Sequence, residues 1–233
     1  MTQTYSKALI IGAGSGLSAE LARLFHAKGL TVALAARRPE ALGELAAETK
    51  ATTHRCDAGD HAEMAALFAA LDATGAPDVL VYNPSARVRG PVAELDPAAV
   101  QAAVQITALG AFFAAREAAR RMLPQGRGAM LFTGASAGVK GFAHSASFAM
   151  GKFALRGLAQ SLARELHPQG IHIGHFVIDG GIRNAAKGRE SVPDRPDALL
   201  DPAAIARSYW HFLEQDRSSW SWEIELRPWV ETF

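Results

Sequence analysis

Cysteine is nearly absent. The 233 residues hold one, Cys56, so no disulfide can close within the chain and a reducing, cytoplasmic compartment is expected. An excess of charge is missing as well: 24 Lys and Arg face 23 Asp and Glu, a formal net charge of +1. That balance gives no electrostatic case for nucleic acid or an acidic lipid surface as a partner. Long apolar runs are lacking too. Met1 to Leu17 holds only Ala8–Ile11 before glycines interrupt, so no signal peptide of ordinary design is expected. The later run Ala108–Ala115 is closed by Arg116 and is too short to span a bilayer, so no membrane partner is expected. The eight histidines and one cysteine show no metal-ligand spacing.

What is present is a steady alternation. Lys7–Ile11, Thr31–Ala35, Ala51–Cys56, Asp78–Tyr82, Ala129–Thr133, Ile171–Ile178 and Glu223–Leu226 read as strands. Between them Ser15–Lys28, Pro39–Thr49, Asp60–Thr74, Pro97–Leu123, Ser147–Leu166 and Pro202–Gln215 carry helix-period apolar residues. The pattern predicts an α/β fold: a doubly wound, Rossmann-type parallel sheet of about seven strands with helices on both faces. The strands are nearly all apolar, as expected when both faces are covered. With no repeat or linker, residues 1–233 read as a single domain long enough to bury a large core. One segment breaks the rhythm: 179–200 is rich in Gly and Pro and carries Arg183, Lys187, Arg189, Glu190, Asp194 and Arg195. An irregular connection this long, beyond a strand's carboxyl end, is expected to be a substrate lid.

The turn after the first strand reads IIGAGSGLSAEL. As GxGxxG it fails, because Leu17 stands where the third glycine would be; as GxxxGxG it keeps Gly12 and Gly16, with Ser18 as a small substitute for the last. Gly12, Gly14, Ser15, Gly16 and Leu17 are therefore the expected phosphate-binding residues, where backbone N–H groups and a helix N-terminus meet a pyrophosphate. The second strand ends in Ala36, Arg37 and Arg38, with no acid to bond a free ribose 2′-hydroxyl. Arginine there suits a 2′-phosphate, so NADP(H) is expected over NAD(H).

In order and spacing these pieces resemble the short-chain dehydrogenase/reductase family over essentially the whole chain. The turn resembles TGxxxGxG with Ile11 for threonine; DVLVYNPS, residues 78–85, resembles DVLVNNAG; and IHIGHFVIDGGI, residues 171–182, resembles the strand ending in a proline–glycine turn. The resemblance implies that Asp57 holds the adenine, that Asn83 and Gly180 belong to the cofactor site, and that the backbone at Ile182 meets the nicotinamide carboxamide. The catalytic positions match less well. Thr107 stands at the family's asparagine, Ala135 at its serine with Ser136 beside it, and Phe148 at its tyrosine; Lys152 alone is kept. In the family the tyrosine transfers a proton while hydride moves at the nicotinamide, and the lysine also bonds the ribose hydroxyls. Phenylalanine has no proton to exchange, and a lost general acid costs about 10²- to 10⁴-fold in rate.

The candidate catalytic residues are thus Lys152, Ser136 and His144, the last one helical turn before Phe148 if the helix begins that early. Tyr82 and His175 read as packing, and Asp179 as either a site residue or a turn cap. Three readings stay open: an NADP(H) oxidoreductase with a non-standard proton donor, a catalytically inactive NADP(H) binder, and a lyase or isomerase. The first suits iminium ions or activated alkenes in an apolar pocket of Phe148, Phe142 and Met150. The resemblance also implies a homodimer or homotetramer formed through helices around 102–122 and 148–166, with a C-terminus, Trp222, Trp229 and Phe233, adding aromatics a monomer covers poorly.

Overall fold

Seven parallel strands form the sheet of this computed structural model, which describes residues 4–191 and 193–231. Phe233 lies outside the described residues. In chain order the elements are β1 (Lys7–Ile11), α1 (Leu17–Ala27), β2 (Thr31–Ala36), α2 (Gly43–Thr49), β3 (Thr52–Arg55), α3 (His61–Asp72) and β4 (Val79–Tyr82). Next come α4 (Pro97–Val104), a π turn (Gln105–Leu109), α5 (Gly110–Met122), β5 (Gly128–Thr133), α6 (Ala146–Leu166) and β6 (Ile171–Ile178). The chain ends with a two-residue ribbon, β7 (Gly181–Ile182) and β8 (Leu199–Leu200), then α7 (Pro202–Leu213) and β9 (Glu223–Leu226). The sheet order is β3-β2-β1-β4-β5-β6-β9, so the chain reverses direction of winding between β1 and β4. That places the switch point where Ile11 pairs with Tyr82, the crevice in which open α/β sheets bind ligands.

Period-two alternation along each strand feeds two cores. Leu9, Ile11, Leu80, Tyr82 and Phe132 pack toward α3, α5 and α6, while Ile10, Leu34, Val81 and Phe176 pack toward α1 and α7. The expectation of wholly apolar strands holds for β1, β4, β5 and β6, each buried throughout. It fails at β3, whose TTHR is largely exposed because this strand is the sheet edge.

Two boundaries differ in ways that matter for the site. The expected helix from Pro97 to Leu123 contains the π turn, centred on the fully buried Thr107, whose side chain a Cβ at Gly151 of α6 would meet at 2.9 Å. Joined through it, Pro97–Gln125 is by length and composition alone long and apolar enough to cross a membrane. The short run Ala108–Ala115 conceals this. Here Ala111, Ala114, Ala115 and Ala118 of that helix are buried in the core. The segment 179–200 is also less irregular than expected, because Gly181 and Ile182 pair with Leu199 and Leu200, and Asn184 bridges to Arg189.

Candidate functional site

A cavity of ≈ 490 Å³ opens at the switch point, beneath the β1–α1 turn. Gly12 sits at φ +78°, and a Cβ on it would meet the Pro84 ring at 2.8 Å, so only glycine fits. Its N–H and that of Ala13 donate to the Ala35 carbonyl at 2.9 and 3.1 Å, tying the turn to the end of β2. A Cβ on Gly14 would meet nothing within 4 Å, which leaves bare backbone facing the cavity. Gly16 opens α1 with no side-chain cap, so the first-turn N–H groups at Leu17 and Ser18 present the positive end of the helix to the cavity wall. Ser18 does more than keep the helix close. Its hydroxyl donates to the Gly12 carbonyl at 3.1 Å and accepts from Asn83 Nδ2 at 2.6 Å. Asn83 lines the cavity, but its amide braces the turn.

The other walls divide the expected residues. Arg37 lines the cavity, is exposed, and has no hydrogen bond or ion pair among the described residues. Arg38 is not on the wall; it precedes the 3₁₀ turn Pro39–Leu42. Asp57 is on the wall between Cys56 and Ala58, its Oδ1 accepting from Gly59 N at 2.9 Å and its N–H donating to Glu63. Burial pushes the Cys56 thiol up to about 12 and makes it inert. Ile182 reaches the cavity, whereas Gly180 packs against Pro228 and Leu200. The 179–200 segment contributes three further residues, Asn184, Lys187 and Arg189. Asn184 is close enough to Gly16 that a Cβ there would meet its Nδ2 at 2.8 Å.

The reaction end departs from expectation. Lys152 is not on the cavity wall. It is 2% exposed, and its Nζ donates to the Thr133 carbonyl at 2.6 Å, at the end of β5. Burial, with Arg87 adding repulsion, lowers its pKa to about 7. Phe148 is buried above it, the two 5.8 Å apart. His144 does not stand one helical turn before Phe148, because α6 begins only at Ala146; His144 lies outside it in a left-handed conformation, φ 57°. Ser136 starts a 3₁₀ turn and is half-buried, its carbonyl accepting from Val139 and Lys140 N–H. Of the residues expected to wall an apolar pocket, Phe142 and Met150 are exposed and Phe148 is buried, and the switch-point cavity includes none of the three. Tyr82 and His175 are core residues, as expected. Tyr82 donates to the Ile106 carbonyl at 2.5 Å, and His175 Nδ1 meets Glu223, itself held by Arg156. Asp179 is buried near Lys140 and Arg227, a neutralised position.

Sequence reasoning missed Arg87, Ser147 and Asn184. Arg87 lays its guanidinium carbon 3.8 Å from the Phe148 ring centroid, and Ser147 clamps its neighbour Val88. The available signal was the pair of arginines in SARVRG, straight after the strand end carrying Asn83.

Comparison with known proteins identifies the family and agrees with the fold. The family described as short chain dehydrogenase matches residues 6–190. The chain is 35% identical over 167 residues to a cyclic-di-GMP-binding biofilm dispersal mediator protein of Escherichia coli, covering 71% of this chain and 68% of that one. Among solved structures, a short-chain dehydrogenase from Rhodopseudomonas palustris superposes with a TM-score of 0.84 at 35% identity, covering 97% of this chain and 100% of that chain. A metagenomic short-chain oxidoreductase in complex with NADP superposes with a TM-score of 0.83 at 26% identity, covering 97% and 98%.

Proposed function

Given that this chain belongs to the short-chain dehydrogenase family, we propose that it is an NADP(H)-dependent oxidoreductase acting on a small organic substrate with a non-standard proton donor. The observation that carries this reading is the glycine turn and the unpaired Arg37 sharing one cavity. The residues there fit a dinucleotide phosphate. Bare backbone at Gly14 and the uncapped start of α1 receive a pyrophosphate, Arg37 receives a 2′-phosphate, and Asp57 and Ala58 flank the adenine. A bound nicotinamide would supply or accept the hydride. Lys152 supports this site from below by holding the β5 end through Thr133. With Phe148 at the donor position and His144 outside α6, neither of those two positions offers a side-chain acid to a ketone oxygen. That favours substrates that take hydride with little acid help, such as iminium ions or activated alkenes.

Fluorescence titration with NADPH and NADH tests the cofactor reading. Arg37→Ala should weaken NADPH by roughly 10-fold or more, the worth of one charge-assisted hydrogen bond, and leave NADH unchanged. Equal loss for both cofactors would refute the 2′-phosphate assignment. A catalytically inactive NADP(H) binder, a sensor or assembly partner, is the second reading, favoured by the loss of hydroxyls at both Phe148 and Ala135. NADPH binding without oxidation by imines, enones or ketones would support it, as would ketone reduction gained by Phe148→Tyr with Ala135→Ser. We also place the protein in the cytoplasm as a homodimer or homotetramer. Leu109, Phe112, Met150 and Phe153 are exposed on the long helices through which the family associates, and a second copy would cover them.

A further inference from the structure

We propose that Arg87, backed by Arg89 and Arg189, is a binding site for an oxyanion carried by the substrate, a carboxylate or a phosphate ester. This deepens the oxidoreductase reading by naming a substrate class, and to that extent rests on it. The guanidinium of Arg87 lies against Phe148, the residue at the family's proton-donor position. With its central carbon 3.8 Å over the ring centroid and no hydrogen-bond or ion-pair partner among the described residues, the guanidinium has N–H donors left for a bidentate contact with an oxyanion.

Three observations make this a prepared site. First, Arg87 is held between fastened neighbours: Ala86 N donates to Thr107 Oγ1 at 3.1 Å, and both the N–H and the carbonyl of Val88 bond Ser147 Oγ at 2.9 Å. Gly90 N adds a bond to the His144 carbonyl at 3.2 Å. The loop therefore cannot drift without breaking contacts to the π turn and α6. Second, Arg87 has no hydrogen bond or ion pair among the described residues, and the charges acting on it are those of Arg89 and Arg189, both repulsive. Three cations gathered without a carboxylate are unfavourable until an anion arrives. A neutral carbonyl would need one donor only. Third, the nucleotide cavity does not use this arginine. Its wall on this loop ends at Ala86, and Arg37, Lys187 and the start of α1 already line it for the phosphates of a dinucleotide, so that of the three arginines only Arg189 is shared with the cavity.

Calorimetric titration of benzoate, phenyl phosphate and benzamide decides the matter, each run on the protein alone and on the protein saturated with NADP⁺. Benzoate or phenyl phosphate should bind, benzamide should bind at least about 10-fold more weakly, and Arg87→Leu should weaken the anion at least about 10-fold. Arg87→Lys, which keeps the charge without the fork, should fall between. The same variants should keep NADPH affinity within about 2-fold, because Arg87 is off the cavity wall. A preference for phenyl phosphate over benzoate assigns a phosphate ester, and the reverse a carboxylate; either supports the site provided Arg87 controls it. Benzamide binding as well as benzoate, no effect of either Arg87 variant, or no binding of either anion at millimolar concentration overturns the proposal. NADPH failing to bind the wild-type protein refutes the cofactor reading instead, and the anion titration on the protein alone still decides this one.

Discussion

Replacing Lys152 by methionine should make the protein's stability less dependent on pH. The ammonium is buried and, among the described residues, has one hydrogen-bond partner, the Thr133 carbonyl, and no carboxylate. The groups acting on it from neighbouring elements are the Phe148 ring and Arg87, while His175 on β6 feels its charge in turn. Its pKa in the fold is about 7, against roughly 10.4 in an unfolded chain. Between those values the unfolded chain binds more protons than the folded one, so this residue's contribution to stability grows as pH rises from 7 toward 10.4 and is lost as pH falls back through 7. A gap of about 3 pH units at 1.36 kcal/mol each is about 4 kcal/mol. Wild-type stability minus that of Lys152→Met should therefore rise by about 4 kcal/mol between pH 6.5 and 10.5. Urea unfolding followed by tryptophan fluorescence at half-unit pH steps measures it, and taking the difference cancels the titrating groups on which Lys152 does not act; His175, on which it does, is already neutral above pH 6.5. A difference constant to within about 0.5 kcal/mol would mean the lysine stays charged throughout, refuting the argument from burial.

Three further outcomes follow from other sites. Gly12→Ala forces a side chain into a left-handed backbone and onto Pro84, and should cost about 1–3 kcal/mol in urea unfolding while removing measurable NADPH binding. His175, held neutral by burial with a pKa of about 4 despite Glu223, contributes stability above its unfolded value that is lost as pH falls from about 6.5 toward 4. His175→Gln should flatten that acid limb in the same assay. Wild type should scatter light as the proposed dimer or tetramer and Phe112→Asp combined with Phe153→Asp as a monomer, whereas Trp229→Asp, at the exposed C-terminal aromatic, should leave the mass unchanged; a monomeric wild type refutes the proposed association.

Much of this was legible in the chain. Strand–helix alternation gives the sheet, and the glycines give the turn, because both depend on local backbone preference and on burial of whole strands. Arg37 was legible for the same reason, since its address is the end of a strand. The reaction end was not. Where Lys152 points depends on the Thr133 carbonyl, and Arg87 reaches Phe148 only because Thr107 and Ser147, 21 and 59 residues away from their bonding partners, pin the loop on either side. The condition on His144 was not met for a smaller reason: α6 starts at Ala146, one residue before the expected Ser147 but still after His144, which stays a loop residue.

The π turn at Gln105–Leu109 has a consequence for how this chain can vary. An α-helix advances each residue by about 100° around its axis, and a π turn absorbs one residue more than the α-helical count. Ala103 before it and Ala111 after it are both buried, yet they belong to frames one residue out of step. Deleting one residue from the five would restore a uniform helix with Ala103 and Ala111 still turned to the same core, and would take away only the widened turn that sets Thr107 against Ala86. The extra residue therefore serves the loop after β4 rather than the packing of the helix, a division of labour that percentage identity does not register.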